Sequence, residues 1–282
     1  MSTAEPVLIH VHGAGLQPPE ADWLRVHDAL LFAGRARVAT DLAYYADLMT
    51  PRGDIRDPSM AVSGTAPDDQ AAVLHPSVAQ VGREPAAHAF LLRLAAAMGP
   101  TDHRSRFALP EAMVPAAVRT FYREVTGYLH GQPTLAEGMR ERFRAALRRH
   151  PERVVVLAHS LGSMVAYDVL GEPEFAGRDV TLLTVGSPLG LGPAQDHLQA
   201  WRGSRPVELP GGVGTWRNFQ AEGDPVAHGS DQDGLRRDFT PAERVHTTPV
   251  RNEAEWHHAL PGYLQTPEVQ EAVLAHTLAR RA

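Results

Sequence analysis

The sequence contains no cysteine and no lysine, and each absence excludes a class of chemistry. Without cysteine there can be no disulfide, no thiolate nucleophile and no Cys-ligated zinc or iron–sulfur site. Without lysine there is no Schiff-base amine for pyridoxal phosphate, no P-loop lysine and no kinase-type strand lysine. A catalytic site in this chain must therefore be built from other residue types.

The sequence also has fewer basic than acidic residues, and it has no long apolar run. The 27 basic residues, all arginine, face 33 acidic ones, for a net charge of −6, so we expect neither nucleic acid nor an anionic membrane as a partner. No stretch approaches the ~18 consecutive apolar residues of a membrane span, and we expect none. The first residues lack the basic and apolar regions of a secretory signal, which favours a cytoplasmic location. The oligomeric state is left open.

The 282 residues, 43% of them hydrophobic, suffice for a folded domain with a substantial core. Short β-branched runs alternate with stretches of helical periodicity along the chain. Strands are predicted at 6–11, 37–45, 153–158, 180–185, 215–220 and 244–250, and helices at 20–32, 135–150, 161–170 and 268–281. This alternation predicts an α/β fold, with a mainly parallel sheet flanked by helices.

Residues 47–132 interrupt that alternation. They are rich in proline, alanine, glycine and aspartate, with helix-like pieces at 88–98 and 115–129. The apolar faces of these pieces argue against a disordered linker. We therefore expect an inserted, mostly helical cap at 47–132 over a core formed by 1–46 and 133–282. The structure of 54–84 is left open.

Ser160 stands between the most strand-like run of the chain and a predicted helix, in the sequence AHSLG at 158–162. A nucleophile on a tight strand-to-helix turn needs small residues two positions to either side, and Ala158 and Gly162 meet that need. The N–H of Leu161 would open the helix and face a developing oxyanion. The structural alternative is a serine that only caps the helix.

The AHSLG sequence resembles the G-x-S-x-G nucleophile elbow of the α/β-hydrolase family, with Ala158 in place of the first glycine. A second motif, HGAG at 12–15, is similar to the oxyanion loop of lipases and esterases. This resemblance implies that the N–H of Ala14 is an oxyanion donor. The alternative is a metal pair formed by His10 and His12, but no further ligand cluster follows them.

In this family the catalytic acid follows the serine, and the histidine follows the acid. Asp224 lies in an EGDP loop after the fifth predicted strand, where glycine and proline would present its carboxylate rigidly. The loop is similar to the acid loop of many α/β hydrolases, and an Asx-turn aspartate is the alternative. Asp196, one strand earlier, is the second candidate acid. Asp231 and Asp233 are less favoured, because their polar loop has little turn punctuation.

Two adjacent histidines, His257 and His258, precede the last predicted helix. Neighbouring side chains of an extended loop point in opposite directions, so one of the two is expected to reach Ser160. The following H-x-x-x-G-Y-L sequence resembles bacterial members of the superfamily and favours His258 as the base, with His257 as the alternative. His159 is expected to pack against the oxyanion loop.

The resemblance covers 6–45 and 135–280, and it implies a serine hydrolase that acts on a small-molecule acyl substrate. The reaction expected is cleavage of a carboxylic ester, or of a thioester or amide, through an acyl-enzyme on Ser160, with no metal and no organic cofactor. Two alternatives stay open. One is an acyltransferase or biosynthetic thioesterase with the same triad, and the other is a non-catalytic binding module of the same fold.

Overall fold

The computed structural model describes residues 6–15, 17–49, 125, 127–131, 133–203, 206–224, 226–227, 234–254 and 257–278. The helical piece expected at 88–98, most of that at 115–129 and nearly all of the cap lie outside these residues. Within the described ranges, every helix is too short or too polar to cross a membrane.

A six-stranded parallel sheet forms the centre of the fold. Its strands are β1 (Val7–Val11), β2 (Thr40–Ala43), β3 (Val154–His159), β4 (Val180–Val185), β6 (Val213–Ala221) and β8 (Val245–Val250), in the order β2-β1-β3-β4-β6-β8. Two short strands, β5 (Val207–Glu208) and β7 (Phe239–Thr240), pair separately. Every position of β3 and β4 is buried, as expected for strands covered on both faces. The predicted α/β fold with a parallel sheet is confirmed.

Helices pack against the sheet. They are α1 (Glu20–Phe32), α2 (Ala46–Met49), α3 (Pro133–Arg149), α4 (Leu161–Leu170), α5 (Gly192–Arg202), α6 (Gly234–Asp238), α7 (Leu260–Leu264) and α8 (Pro267–Thr277), with a π-helical turn at Gly127–Gly131. Alternate residues of each strand face two separate cores, because side chains alternate along a strand. Val154 and Val156 of β3 pack with α3 and α4, whereas Val155 and Leu157 pack with α1, α7 and α8.

The structure corrects the prediction in two places. Strand β2 covers only Thr40–Ala43, less than the predicted 37–45. The segment after β4, where no helix was predicted, forms α5, which includes Asp196. A proline in the first turn starts this helix, since proline is well tolerated there and its missing N–H costs nothing.

Parallel pairing brings the carboxyl ends of four strands to one edge of the sheet. Val11 of β1 pairs with Ala158 of β3, and Val185 of β4 pairs with both His159 of β3 and Phe219 of β6. In open parallel sheets this edge is where functional groups gather. The loops that follow β1, β3, β4 and β6 therefore lie side by side, and they contain the HGAG motif, Ser160 and Asp224.

Candidate active site

Ser160 occupies a sharp turn between β3 and α4. Its backbone angles, φ 52° and ψ −127°, lie in a region that residues with a Cβ rarely adopt. Its N–H donates to the Val185 carbonyl at 3.2 Å, and its own carbonyl accepts the N–H of Ser163 at 2.9 Å. The side chain is 1% exposed. The serine is thus held on a strained backbone whose hydrogen bonds are fixed by the neighbouring strand and helix.

Two glycines permit the end of β1 to approach this turn. A Cβ on Gly162 would lie 2.4 Å from the carbonyl oxygens of Val11 and His12, closer than any real contact allows. A Cβ on Gly13 would lie 2.9 Å from the Cβ of Ser160. The close approach explains both small residues and places the HGAG loop directly against the serine.

His258 links Ser160 to Asp224. Its Nε2 lies 2.8 Å from the Ser160 Oγ, and its Nδ1 lies 2.9 and 3.0 Å from the two carboxylate oxygens of Asp224. All three side chains are buried. Because the carboxylate accepts the Nδ1–H, the lone pair of Nε2 faces the serine hydroxyl. The structure brings together the three side chains that the sequence motifs predicted for a triad.

Four donors surround the Asp224 carboxylate. The N–H groups of Val226 and Ala227 donate to Oδ1 at 2.9 and 3.2 Å, the Tyr263 hydroxyl donates to Oδ2 at 2.6 Å, and His258 donates to both oxygens. Burial alone would raise the pKa of Asp224, but the charge of His258 and the hydrogen bonds from His258, Tyr263 and Val226 hold it below its ordinary value of 3.8. The carboxylate is therefore ionised at neutral pH.

Gly186, directly after β4, leaves room for this carboxylate–imidazole pair. Its φ is +56°, and a Cβ there would lie 3.1 Å from both the Asp224 Oδ2 and the His258 ring. Gly186 directly follows the strand predicted at 180–185. A glycine immediately after a buried strand was the available signal that a neighbouring loop comes close.

Side chains hold the loop that carries His258 by donating hydrogen bonds to its backbone carbonyls. Asn252 Nδ2 donates to the carbonyls of His257 and Ala259 at 2.7 and 3.0 Å, and His159 Nε2 donates to the carbonyl of His258 at 2.9 Å. Three consecutive carbonyls thus accept hydrogen bonds from buried side chains. We infer that these bonds fix the direction of the His258 ring, a role for Asn252 that sequence reasoning missed.

The alternative base and acid are placed elsewhere. His257 turns away from its neighbour, and its Nδ1 donates to the Asn252 carbonyl at 2.8 Å. Asp196 lies at an exposed position of α5, and the carboxylate that meets the His258 Nδ1 belongs to Asp224. Positions 231 and 233, which carry the two less favoured aspartates, lie outside the described residues.

A chain of hydroxyl groups ties the serine turn to the loop after β4. The Ser163 Oγ donates to the Ser160 carbonyl at 2.6 Å and lies 2.8 Å from the Ser187 Oγ. Because Ser163 has used its proton, Ser187 donates to it, while the Leu189 N–H donates to Ser187 at 3.3 Å. Neither serine was singled out from the sequence.

The two N–H groups expected as oxyanion donors belong to Ala14, in the loop after β1, and to Leu161, the first residue of α4. His12 Nδ1 donates to the Gly13 carbonyl at 2.8 Å, while its Nε2 accepts the Tyr45 N–H at 3.1 Å. Burial lowers the pKa of His12 to about 4, so the ring is neutral. The Gly13 carbonyl faces the ring, and in a trans peptide the Ala14 N–H points the opposite way. The Leu161 N–H opens α4 and has no acceptor within the helix.

His10 in β1 and His12 just after it have protein partners, which weakens the metal alternative. His12 uses both ring nitrogens as just described, and the His10 Nε2 lies 3.0 Å from a carboxylate oxygen of Asp28. Among the described residues, no group of three or more histidines and carboxylates is placed to hold a metal ion.

A surface cleft of about 500 Å³ lies beside the loop that carries His258, called the base loop below. It is lined by Arg251, Glu253, Ala254, Gly262, Gln265, Thr266, Pro267 and Glu268, and it contains none of the three triad side chains. A substrate bound there would not contact Ser160.

No protein-family model matches the sequence, and no curated protein matches it either.

Proposed function

We propose that this protein is a serine hydrolase with the α/β-hydrolase fold, and that it cleaves a carboxylic ester through an acyl-enzyme on Ser160. The observation that carries the proposal is the hydrogen-bonded chain from the Ser160 Oγ through His258 to Asp224. A serine that only capped α4 would need neither a positive φ nor an imidazole at its hydroxyl.

Acylation follows from this geometry. As the Ser160 Oγ attacks the carbonyl carbon of the ester, its proton moves to the His258 Nε2. The imidazolium that forms is stabilised by the Asp224 carboxylate. Negative charge on the substrate oxygen is stabilised by the N–H groups of Leu161 and Ala14, with the dipole of α4 assisting.

The remaining steps use the same groups in reverse. His258 gives its proton to the departing alkoxide, so an alcohol leaves and the acyl group stays on Ser160 as an ester. A water molecule then attacks this ester while His258 removes its proton, and the carboxylic acid departs as the serine recovers its hydrogen. The scheme uses no metal and no organic cofactor.

The order and placement of these groups support the fold assignment within the proposal. Serine, acid and base occur in the chain order of α/β hydrolases, and each follows the carboxyl end of a parallel strand or precedes a late helix. The proposal includes a cap at 47–132, inserted between β2 and α3, that limits the acyl and alcohol groups able to reach Ser160.

Labelling with a fluorophosphonate probe tests the proposal, because such probes react with activated serines. We expect the wild type to be labelled at Ser160, as located by peptide mass spectrometry. Labelling should disappear in Ser160→Ala and His258→Ala and persist in His257→Ala. The last variant is a matched control, since it removes the adjacent histidine that bonds elsewhere. A folded wild type that resists both a large and a small phosphonate would contradict the proposal.

A further inference from the structure

Tyr263, in α7, lies directly behind the candidate triad. Its hydroxyl accepts the Ala221 N–H at 3.0 Å and lies 2.6 Å from the Asp224 Oδ2. Since a backbone N–H already donates to the phenol oxygen, the hydroxyl proton is directed at the carboxylate. The tyrosine side chain is fully buried.

The two oxygens of Asp224 are held in different ways. Both oxygens face the His258 Nδ1, and Oδ1 also accepts the backbone N–H groups of Val226 and Ala227, which belong to its own loop. Within the described part of the chain, Oδ2 accepts from His258 and from the Tyr263 hydroxyl. The tyrosine is thus the contact that ties Oδ2, one of the two oxygens facing His258, to α7.

We propose that Tyr263 is a positioning residue of this site, whose hydroxyl holds the Asp224 Oδ2 and so sets how readily His258 takes up a proton. The consequence for catalysis rests on the proposed function. The effect on the imidazole does not, because it follows from the contacts among the three side chains.

The direction of the effect follows from electrostatics. A hydrogen bond from the phenol takes up part of the carboxylate charge, so its removal strengthens the attraction between Asp224 and protonated His258. Burial and the charge of Asp224 raise the pKa of Tyr263 well above 10, so the phenol remains a donor at neutral pH. Among the described residues, the His159 ring is a further titratable group against His258, and its centroid lies 4.8 Å away.

His159 does not compete for this role. Burial, together with the neighbouring His258, lowers the pKa of His159 to about 3, so its ring is neutral at any pH well above that value. Its protonated nitrogen donates to the His258 carbonyl, not to the ring. Removal of the Tyr263 hydroxyl therefore acts on His258 through Asp224.

The test is Tyr263→Phe, with Tyr167→Phe as the matched control. Tyr167 is also fully buried, but its hydroxyl donates to the Glu208 carbonyl in another part of the molecule. With ¹³C-labelled histidine, the NMR titration midpoint of the His258 imidazole should rise by about half to one pH unit in Tyr263→Phe. The control should titrate like the wild type. The His258 signal is identified by its loss in His258→Ala.

Enzyme kinetics provide a second readout if the protein hydrolyses esters. The acid limb of the profile of kcat/KM against pH should move upward with the NMR midpoint. The value of kcat should fall about tenfold at neutral pH while KM stays unchanged, because the contact orients the base and touches no substrate. A purely structural tyrosine would alter stability without moving the acid limb.

Two further variants complete the experiment: a double substitution, and a tyrosine analogue that strengthens the hydrogen bond. In an Asp224→Asn background, Tyr263→Phe should produce no further change in the midpoint. Site-specific 3-fluorotyrosine at position 263, a stronger donor, should lower the midpoint, and this result stands even if the phenylalanine variant fails to fold.

The outcomes separate this proposal from the proposed function. An unchanged midpoint in Tyr263→Phe, or an equal rise in Tyr167→Phe, would overturn the role of Tyr263. If the midpoint moves as expected while the wild type resists fluorophosphonates, the hydrolase proposal fails and the positioning role of Tyr263 is retained.

Discussion

The Asp224–His258 pair and the Asp28–His10 pair are built from the same parts in two regions of the molecule. In each, a ring nitrogen of a buried histidine lies about 3.0 Å from a carboxylate oxygen. The second pair joins β1 to α1. Both rings also pack against another ring, since His258 lies beside His159, while His10 meets an indole edge-on.

The likeness extends to a hydroxyl that donates to the carboxylate of each pair. Tyr263 donates to Asp224, and Thr40 donates to Asp28 at 2.6 Å. The differences are that Asp28 is 24% exposed while Asp224 is fully buried, and that the far nitrogen of the histidine beside Asp224 meets Ser160. A carboxylate–imidazole pair is therefore an ordinary structural unit, and what distinguishes the candidate site is Ser160, the proposed nucleophile, on its strained turn.

The largest expected difference between the two regions is in the activity of asparagine variants. Asp224→Asn should lower kcat about 10⁴-fold, the size of effect known for the acid of Ser-His-Asp triads, because the amide cannot hold the productive tautomer of His258. Asp28→Asn should retain wild-type kcat within about twofold. Ester hydrolysis by both variants, with circular dichroism as the check on folding, makes the measurement. Equal losses in the two would refute the comparison.

The second prediction concerns acid stability, since buried imidazoles occur in both regions. Burial lowers the pKa of His12 and His27 to about 4 and that of His159 to about 3. In the unfolded chain these groups take up protons near their ordinary value of 6.5. The unfolded state thus binds more protons as the pH falls, so the free energy of unfolding should decrease between about pH 6.5 and pH 4.

Each imidazole contributes about 1 to 2 kcal/mol to this loss between pH 7 and pH 5. Urea unfolding at the two pH values measures it. His27→Gln provides the internal comparison, because glutamine keeps a donor for the Trp23 carbonyl but does not titrate. The variant should lose less stability on acidification than the wild type. Equal stability of the wild type at both pH values would show that these rings take up protons as readily in the folded protein as in the unfolded chain.

The sequence was most informative about groups that stand at strand ends. Strand β3 was predicted at 153–158 and observed at Val154–His159, because a run of apolar β-branched residues specifies a buried strand with little ambiguity. Once the parallel sheet was predicted, the loops holding Ser160 and Asp224 could be expected at one edge. Motif order then pointed to the histidine pair before the last helix, and the H-x-x-x-G-Y-L resemblance favoured His258 over His257.

Groups that act through tertiary contacts could not be predicted. Tyr263 and Asn252 meet their partners only after the last loop has packed against β6, and no periodicity encodes such a contact. The helix that carries Asp196, the second candidate acid, was not predicted either, although a proline in the first turn favours a helix there.

The third prediction tests the clamp on the base loop, meaning the two hydrogen bonds that Asn252 donates to its backbone carbonyls. Asn252→Asp keeps the oxygen that accepts the Ala254 N–H but removes the donors to the His257 and Ala259 carbonyls. We expect kcat to fall about tenfold or more with KM unchanged, and stability to fall by about 1 to 3 kcal/mol, because two partly buried carbonyls lose their partner. The rate of fluorophosphonate labelling should fall in parallel. Labelling at the wild-type rate would mean that His258 keeps its direction without the clamp.

The smallest effect is expected from Thr40→Val, which removes the hydroxyl bound to Asp28 and nearly preserves side-chain shape. It is the counterpart of Tyr263→Phe in the other region. Stability should fall by about 1 kcal/mol, the usual net value of one hydrogen bond, as measured by urea unfolding. The His258 midpoint and kcat/KM should not change, because no described contact connects Asp28 to Ser160. A shift in that midpoint would show that the two carboxylate–imidazole pairs are coupled through β1.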